Sequence, residues 1–292
     1  MITVNEAFQK FRSKLELTKK EQDDASRRQK EVREFLDDNF KIQTDFLSGS
    51  YRRFTKTKPL KDVDIFCVLH DDERPYRHKP PSVLLNAVGD RLAREYGKDN
   101  VVVQRRSVSV SFDISGEEDR VMSFDVVPAF TKGAHYEIPD TVISTGWIQT
   151  NPEIHAQKAT DANKSFGGEW KGMVRMLKKW NLEKAKPIKP SFLLEVMSLD
   201  LIRPPFGGDY PYEFKSLFAS AADRIYDDWP DPSGLGPPVS DSMTSVDRQK
   251  AAGLLLVASN LVTDAIRLAR DGKNEQALRT YKEVFGDLFP LS

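Results

Sequence analysis

Hydrophobic and polar positions follow two different periods along this chain, and the change falls near its middle. Between residues 5 and 38 the apolar positions Ala7, Phe8, Phe11, Leu15, Val32, Phe35 and Leu36 are spaced by three and four among many charges. That spacing predicts one long helix over 5–38. Ile42–Leu47 reads as a short strand ending at Gly49, with Tyr51–Lys56 as a short helix behind it. Val63–Leu69 is an apolar run of strand length, broken only by Asp64. Pro80 and Pro81 start a helix that continues through Tyr96 and is ended by Gly97. Three strands are predicted next. They are Val101–Gln104, the strictly alternating Val108–Ile114, and Arg120–Val127, which follows a turn at Gly116–Asp119 and is ended by Pro128.

After Pro152 the period becomes helical. Trp170, Met173, Val174 and Leu177 fall at i, i+3, i+4 and i+7, which predicts an amphipathic helix over 169–182. Further helices are predicted at Pro190–Ile202, 212–226, Val246–Arg270 and 274–286, with a Pro/Gly-rich loop at Asp231–Pro238. The expected plan is α+β: a lobe over 1–150 braced by the long first helix, then an all-helical lobe over 151–292.

Composition narrows the function classes. With 39% hydrophobic and 30% charged residues in 292, the chain is neither a disordered tail nor a membrane protein. No run approaches the ~18 apolar residues a spanning helix needs. The first twenty residues are mixed and charged, so no signal peptide is expected. Lys plus Arg equals Asp plus Glu at 44 each, which disfavours a protein that coats polyanions and still allows a local basic pocket. The one cysteine, Cys67, permits no internal disulfide and no Cys-rich zinc site. It reads as a small buried residue, and a reducing, cytoplasmic compartment is expected.

The chemistry concentrates in Leu47-Ser48-Gly49-Ser50-Tyr51 and Asp62-Val63-Asp64-Ile65-Phe66. Two acids at i and i+2 on a strand share a face, about 6.5–7 Å apart. An apolar strand rarely carries one buried acid, because an unpaired carboxylate is costly there. Two of them call for a counter-charge, which a hard divalent cation supplies; strand-end acids in solvent, or a salt bridge to Lys61, are the plain alternative. Gly49 lets a backbone approach a phosphate, and Ser50 adds a hydroxyl. Two strand acids compete to complete a two-metal site. Asp113 alternates with serines on a polar face, whereas Asp125 has apolar neighbours and is the harder to explain without a function, so Asp125 is chosen.

With those residues in view, GSY, DVDIF and SFDVVPAF resemble the polymerase-β-type nucleotidyltransferases. The segments Met173–Trp180 and Lys189–Glu195, with Asp231-Pro232 before the last long helix, are similar to the branch of oligoadenylate synthetases, cGAS and the bacterial cGAS/DncV-like enzymes, or CD-NTases. The resemblance implies a nucleotidyltransferase lobe of mixed sheet and flanking helices, a C-terminal helical lobe, and an active site in the cleft between them. It implies that Asp62, Asp64 and Asp125 bind two Mg²⁺ or Mn²⁺ ions. Gly49 and Ser50 would hold donor phosphates, and Lys178 would reach the triphosphate. Ser191 would add a hydrogen bond, and Phe192 would stack on a base. A solvated face for Lys178 and a core position for Phe192 are the alternatives. The chain departs from many bacterial members at Phe54-Thr55, where they carry Gly-Thr.

The implied function is template-free joining of nucleoside triphosphates, ATP among them, into a cyclic di- or trinucleotide with release of pyrophosphate. In bacteria the branch serves anti-phage (CBASS) signalling, with the product read by a separate effector protein and synthesis open to an activating partner protein. Neither membrane nor stable DNA binding is expected. The alternatives are a linear nucleotidyltransferase acting on RNA or protein, and a catalytically inactive nucleotide-binding regulatory module.

Overall fold

The computed structural model describes residues 2–58, 60–112 and 123–292. The turn expected at Gly116–Asp119, Asp113, and the start of the strand expected from Arg120 lie outside these residues. The single helix expected over 5–38 is two helices, α1 at Val4–Lys14 and α2 at Lys19–Asn39. Each opens with its own capping box, Thr3 with Glu6 and Thr18 with Glu21. In both, the glutamate amide donates to the threonine hydroxyl at 3.2 Å, and the threonine amide donates to the glutamate carboxylate at 2.7 Å. A capping Thr18 needs extended backbone, with ψ at 159°, so no helix can run through it.

The chain forms two compact units. One combines Leu17–Ala156 with Ser233–Gly236; the other combines Met1–Glu16, Gln157–Pro232 and Pro237–Ser292. Helix α1 thus groups with the helical unit, although its sequence position suggests the sheet lobe.

The sheet unit contains β1 (Ile42–Ser48), β2 (Asp62–Leu69), β3 (Val101–Val103), β4 (Val108–Ser111), β5 (Ser123–Lys132), β6 (His135–Pro139) and β7 (Trp147–Thr150). Between them lie α3 (Gly49–Arg52) and α4 (Pro81–Tyr96). The strand order is β1-β2-β5-β4-β3, with β6 joining β5 and β7 joining β6. The β2–β5 pair is parallel and the other pairs are antiparallel. Alternation along β2 sends Val63, Ile65, Cys67 and Leu69 into one core with Val32 and Leu36 of α2 and Leu84, Leu85, Val88 and Leu92 of α4. Phe66 and Val68 point the other way, into a smaller cluster with Ala129, Ile138 and Ile148. Asp62 and Asp64 lie on this second face, at its exposed end.

Pro128 does not end its strand, as the sequence suggests; β5 runs on to Lys132. The reason lies in the register. Pairing to β4 stops at Val126 and pairing to β6 starts at Phe130, so at Pro128 the strand has a neighbour on one side only. A missing N–H is tolerated there.

Past β6, the buried Asp140 ties two connections together. Its carboxylate accepts from Arg105 Nε at 2.9 Å, Arg106 Nε at 2.7 Å and the Val142 amide at 2.9 Å. Burial alone would raise its pKa; the Arg105 bond, the Val142 amide and Arg106 outweigh that and hold it at about 2. A folded pKa below the unfolded one stabilises above the unfolded value, and that contribution fades as pH falls toward 2. Asp140→Asn is therefore expected to cost about 2 kcal/mol at pH 7 and progressively less from pH 4 to pH 2, read by urea unfolding across that range. A constant difference between the two proteins down to pH 2 would contradict this.

The helical unit holds α1 with α6 (Trp170–Glu183), α7 (Ser191–Leu201), α8 (Tyr210–Arg224), α9 (Ser245–Arg270) and α10 (Asn274–Phe285), and α5 (Pro152–Ser165) leads into it. Its centre is Phe8 of α1, whose ring meets Tyr210 at 5.5 Å, Tyr281 at 5.1 Å, Phe285 at 5.6 Å and Phe289 at 5.2 Å. The expectation that no stretch could span a membrane meets one exception, since α9 is long and apolar enough by length and composition. Its buried positions Ala251, Leu255, Ala258, Ser259, Val262, Ala265 and Ile266 form one stripe, and the helix packs against α8 and α10.

Candidate active site

The expected acids come together on the sheet. Asp64 of β2 is the lateral partner of Asp125 of β5. The row continues outward to Ser48 of β1 beside Asp64 and Ser109 of β4 beside Asp125. Adjacent strands are about 4.8 Å apart, and partners in such a row share a face. Asp62 lies two residues before Asp64, beside Ser123, and hence on the same face. Its Oδ2 accepts from Lys56 Nζ at 3.0 Å and its Oδ1 from Ser123 Oγ at 3.0 Å.

Gly49 has a positive φ, +62°, and a Cβ built on it would sit 1.7 Å from Asp64 Oδ2. The missing side chain is what makes room for that carboxylate. The short helix expected at Tyr51–Lys56 is instead the single turn α3, followed by a loop closed on itself. The amides of Thr55 and Lys56 both donate to the Ser50 carbonyl, at 3.0 and 3.2 Å.

Asp125 has an unusual electrostatic setting. Burial raises its pKa most and the neighbouring Asp64 raises it further, while Ser109 and Lys56 pull down, leaving it at about 6. Its Oδ1 is buried without a hydrogen-bond partner among the described residues. No ready-made metal cluster of His, Cys, Asp or Glu side chains exists among the described residues. The donor set nonetheless fits a hard divalent cation: three oxygen ligands on one face, one buried oxygen lacking a donor, and crowded negative charge.

The remaining expected residues belong to the helical unit. Lys178 of α6 does not lie on a solvated face; it is 7% exposed and paired at 2.6 Å with Glu195 of α7, which is 2% exposed. Ser191 is exposed at the start of α7, and Phe192 is half-buried against the helical core. Sequence reasoning misses Lys56, which looks like one of several loop lysines. It also misses Ser123, whose hydroxyl fixes Asp62. The only signal for either was closeness to Asp62 or Asp125.

Residues 1–163 match the family profile described as Second Messenger Oligonucleotide or Dinucleotide Synthetase domain (SMODS). The chain belongs to this family. It is a nucleotidyltransferase of the second-messenger oligonucleotide or dinucleotide synthetase type, as the sequence motifs implied. A probable cyclic nucleotide synthase of Bacillus cereus (strain VD146) is 28% identical over 277 residues, covering 83% of this chain and 81% of the relative. A cyclic AMP-AMP-AMP synthase of Acinetobacter sp. (strain ATCC 27244 / 9458) is 28% identical over 271 residues, covering 85% and 73%. Among solved structures, E. coli MS115-1 CdnC with ATP superposes with a TM-score of 0.72 at 18% identity over 99% of both chains. The same enzyme in a CdnC:HORMA complex gives 0.71 at 19% identity over 98% of both. These similarities show a shared fold.

Proposed function

We propose that this SMODS enzyme joins nucleoside triphosphates at the row Asp62, Asp64 and Asp125, and that its product is a cyclic di- or trinucleotide read by a separate effector in anti-phage signalling. The observation that carries the site is the placement of Asp64 beside Asp125 with the buried Asp125 Oδ1. A divalent cation, Mg²⁺ or Mn²⁺, held by the three carboxylates would draw off charge from the phosphates and acidify the attacking hydroxyl. The ribose hydroxyl of one nucleotide attacks the α-phosphorus of another. The bond to the β-phosphate oxygen breaks, and pyrophosphate leaves. Asp125 would complete the site and help activate the attacking hydroxyl. Gly49 and Ser50 would contact the donor phosphates, and Lys178 would follow as a counter-charge when released from Glu195. Ser191 would add a hydrogen bond, and Phe192 would supply an aromatic face.

The AMP-AMP-AMP product named for the Acinetobacter relative supports a trinucleotide with ATP as substrate. The CdnC:HORMA complex supports an activating partner protein. The test is incubation with all four nucleoside triphosphates and Mg²⁺ or Mn²⁺, phosphatase treatment and mass spectrometry, beside the Asp62→Ala/Asp64→Ala protein. A phosphatase-resistant cyclic product absent from the double variant is expected. Linear or tailed products alone would favour the linear transferase. No product together with no nucleotide binding in calorimetry would overturn the assignment.

A further inference from the structure

Helix α9 carries more apolar surface than its own fold covers. In its most apolar stretch of 18 residues only 33% are buried. Val246 is 72% exposed and Val257 52% exposed. At 3.6 residues per turn, Val246, Lys250, Gly253, Val257, Leu261 and Asp264 follow at steps of three and four and fall on one face. That face lies opposite the buried stripe that includes Leu255, Val262 and Ile266. Leu261 is partly buried and the other five are exposed.

The chain itself does not account for this row. Glycine is a poor helix former, and a Cβ built on Gly253 would meet nothing within 4 Å, so no packing within the chain requires it. Lys250 acts electrostatically on Asp247, one turn earlier, and forms no ion pair among the described residues. Asp264 pairs with Arg267 at 3.1 Å, but both side chains are mostly exposed, where such a pair is weak.

The order of the charges points to what covers the face. Lys250 lies seven residues before Val257, and Asp264 lies seven residues after it. Seven residues make nearly two turns, about 10.5 Å along the axis. A second α9 laid antiparallel across Val257 therefore sets each Lys250 opposite the other copy's Asp264, and the two-fold axis makes two such pairs. A parallel arrangement would set lysine against lysine and aspartate against aspartate, so the row is complementary to itself in one direction only. The missing side chain of Gly253 lets the facing helix approach beside Val257. A lipid surface would accept the apolar members but would have to bury Asp264 without a partner.

We propose that the exposed face of α9 is a self-association surface, on which two copies of this chain pair antiparallel about Val257, with Lys250 of each against Asp264 of the other. The inference is independent of the nucleotide assignment. One helix face ~27 Å long offers less than the ~800 Å² per partner of a stable complex, so a reversible dimer with Kd of about 10–100 µM is expected.

The experiment is sedimentation equilibrium of the full chain in low salt, beside Lys250→Asp, Asp264→Lys, their equimolar mixture and the double variant Lys250→Asp/Asp264→Lys. Wild type is expected to dimerise. Each single reversal sets like charges together at both pairs and is expected to weaken the dimer about tenfold or more. Mixing the two single variants restores opposite charges at both pairs, so affinity should return to within about threefold of wild type. The double variant should do the same alone, which keeps the test decisive should either single variant be destabilised. A wild type that stays monomeric at several times the expected Kd, about 300 µM, would overturn the proposal. So would a dimer that neither reversal weakens, since another surface would then hold it. Loss without recovery in both the mixture and the double variant would overturn the antiparallel pairing. A monomeric wild type that sediments with phosphatidylcholine vesicles would assign the face to lipid instead.

Discussion

Asp64→Ala is expected to lower the rate of pyrophosphate release by about 10³-fold or more while leaving the fold at least as stable as wild type. The two effects have opposite signs because Asp64 does opposite things in the free and the working protein. In the free protein it raises the pKa of Asp125, so the two carboxylates oppose one another. Removing one relieves that repulsion and leaves the buried Asp125 Oδ1 with one fewer negative neighbour. In the working protein the same carboxylate would hold the divalent cation that stabilises charge at the phosphates. Such stabilisation amounts to several kcal/mol, and each ~1.4 kcal/mol is a factor of ten in rate. The check is an initial-rate assay of pyrophosphate release together with thermal melting in EDTA. A rate loss below about tenfold would remove Asp64 from the machinery. A melting temperature several degrees below wild type would mean that Asp64 is structural.

The second large effect is on stability and lies in the helical unit. Glu195→Ala removes a carboxylate partner of a lysine that is 7% exposed. A buried ammonium that loses its carboxylate costs more than the pair was favourable, and the expected loss is about 3–5 kcal/mol. For a protein of this size that corresponds to a fall in melting temperature of roughly 10 °C. Lys178→Met/Glu195→Leu replaces both charges with apolar groups of similar volume and is expected to return stability to within about 1 kcal/mol of wild type. The pair of variants separates two roles for Lys178. A stable double variant with weakened triphosphate binding would support the proposed counter-charge role. A stable double variant with unchanged binding and turnover would confine Lys178 to the core.

Much of the sheet unit was legible because its signals are local. The DxD and the Gly-Ser before it depend on residue type and short spacing, and β2 brings Asp62 and Asp64 onto one face with Gly49 packed against Asp64. Asp125 was identified by its apolar neighbours, and the parallel register puts it beside Asp64. The break between α1 and α2 was also written locally, as Thr18 three residues before Glu21, but the charged, helix-favouring run around it hid the cap. β6 and β7 were not anticipated, since His135–Pro139 and Trp147–Thr150 are too short to show a period. Lys56 and the Lys178–Glu195 pair depend on loop closure and on helix–helix packing. In sequence they cannot be told from the other lysines around them.

Phe8 precedes the whole sheet unit in the sequence, and its partners Tyr281, Phe285 and Phe289 follow it. During synthesis, the residues from Leu17 to Ala156 can leave the ribosome and form their sheet while α1 still has no core to enter. The aromatic cluster closes only after nearly the entire chain has emerged. α1 is therefore an amphipathic helix whose apolar face must wait, and the helical unit should be the last part of the protein to fold and the part most in need of protection from aggregation as it is made.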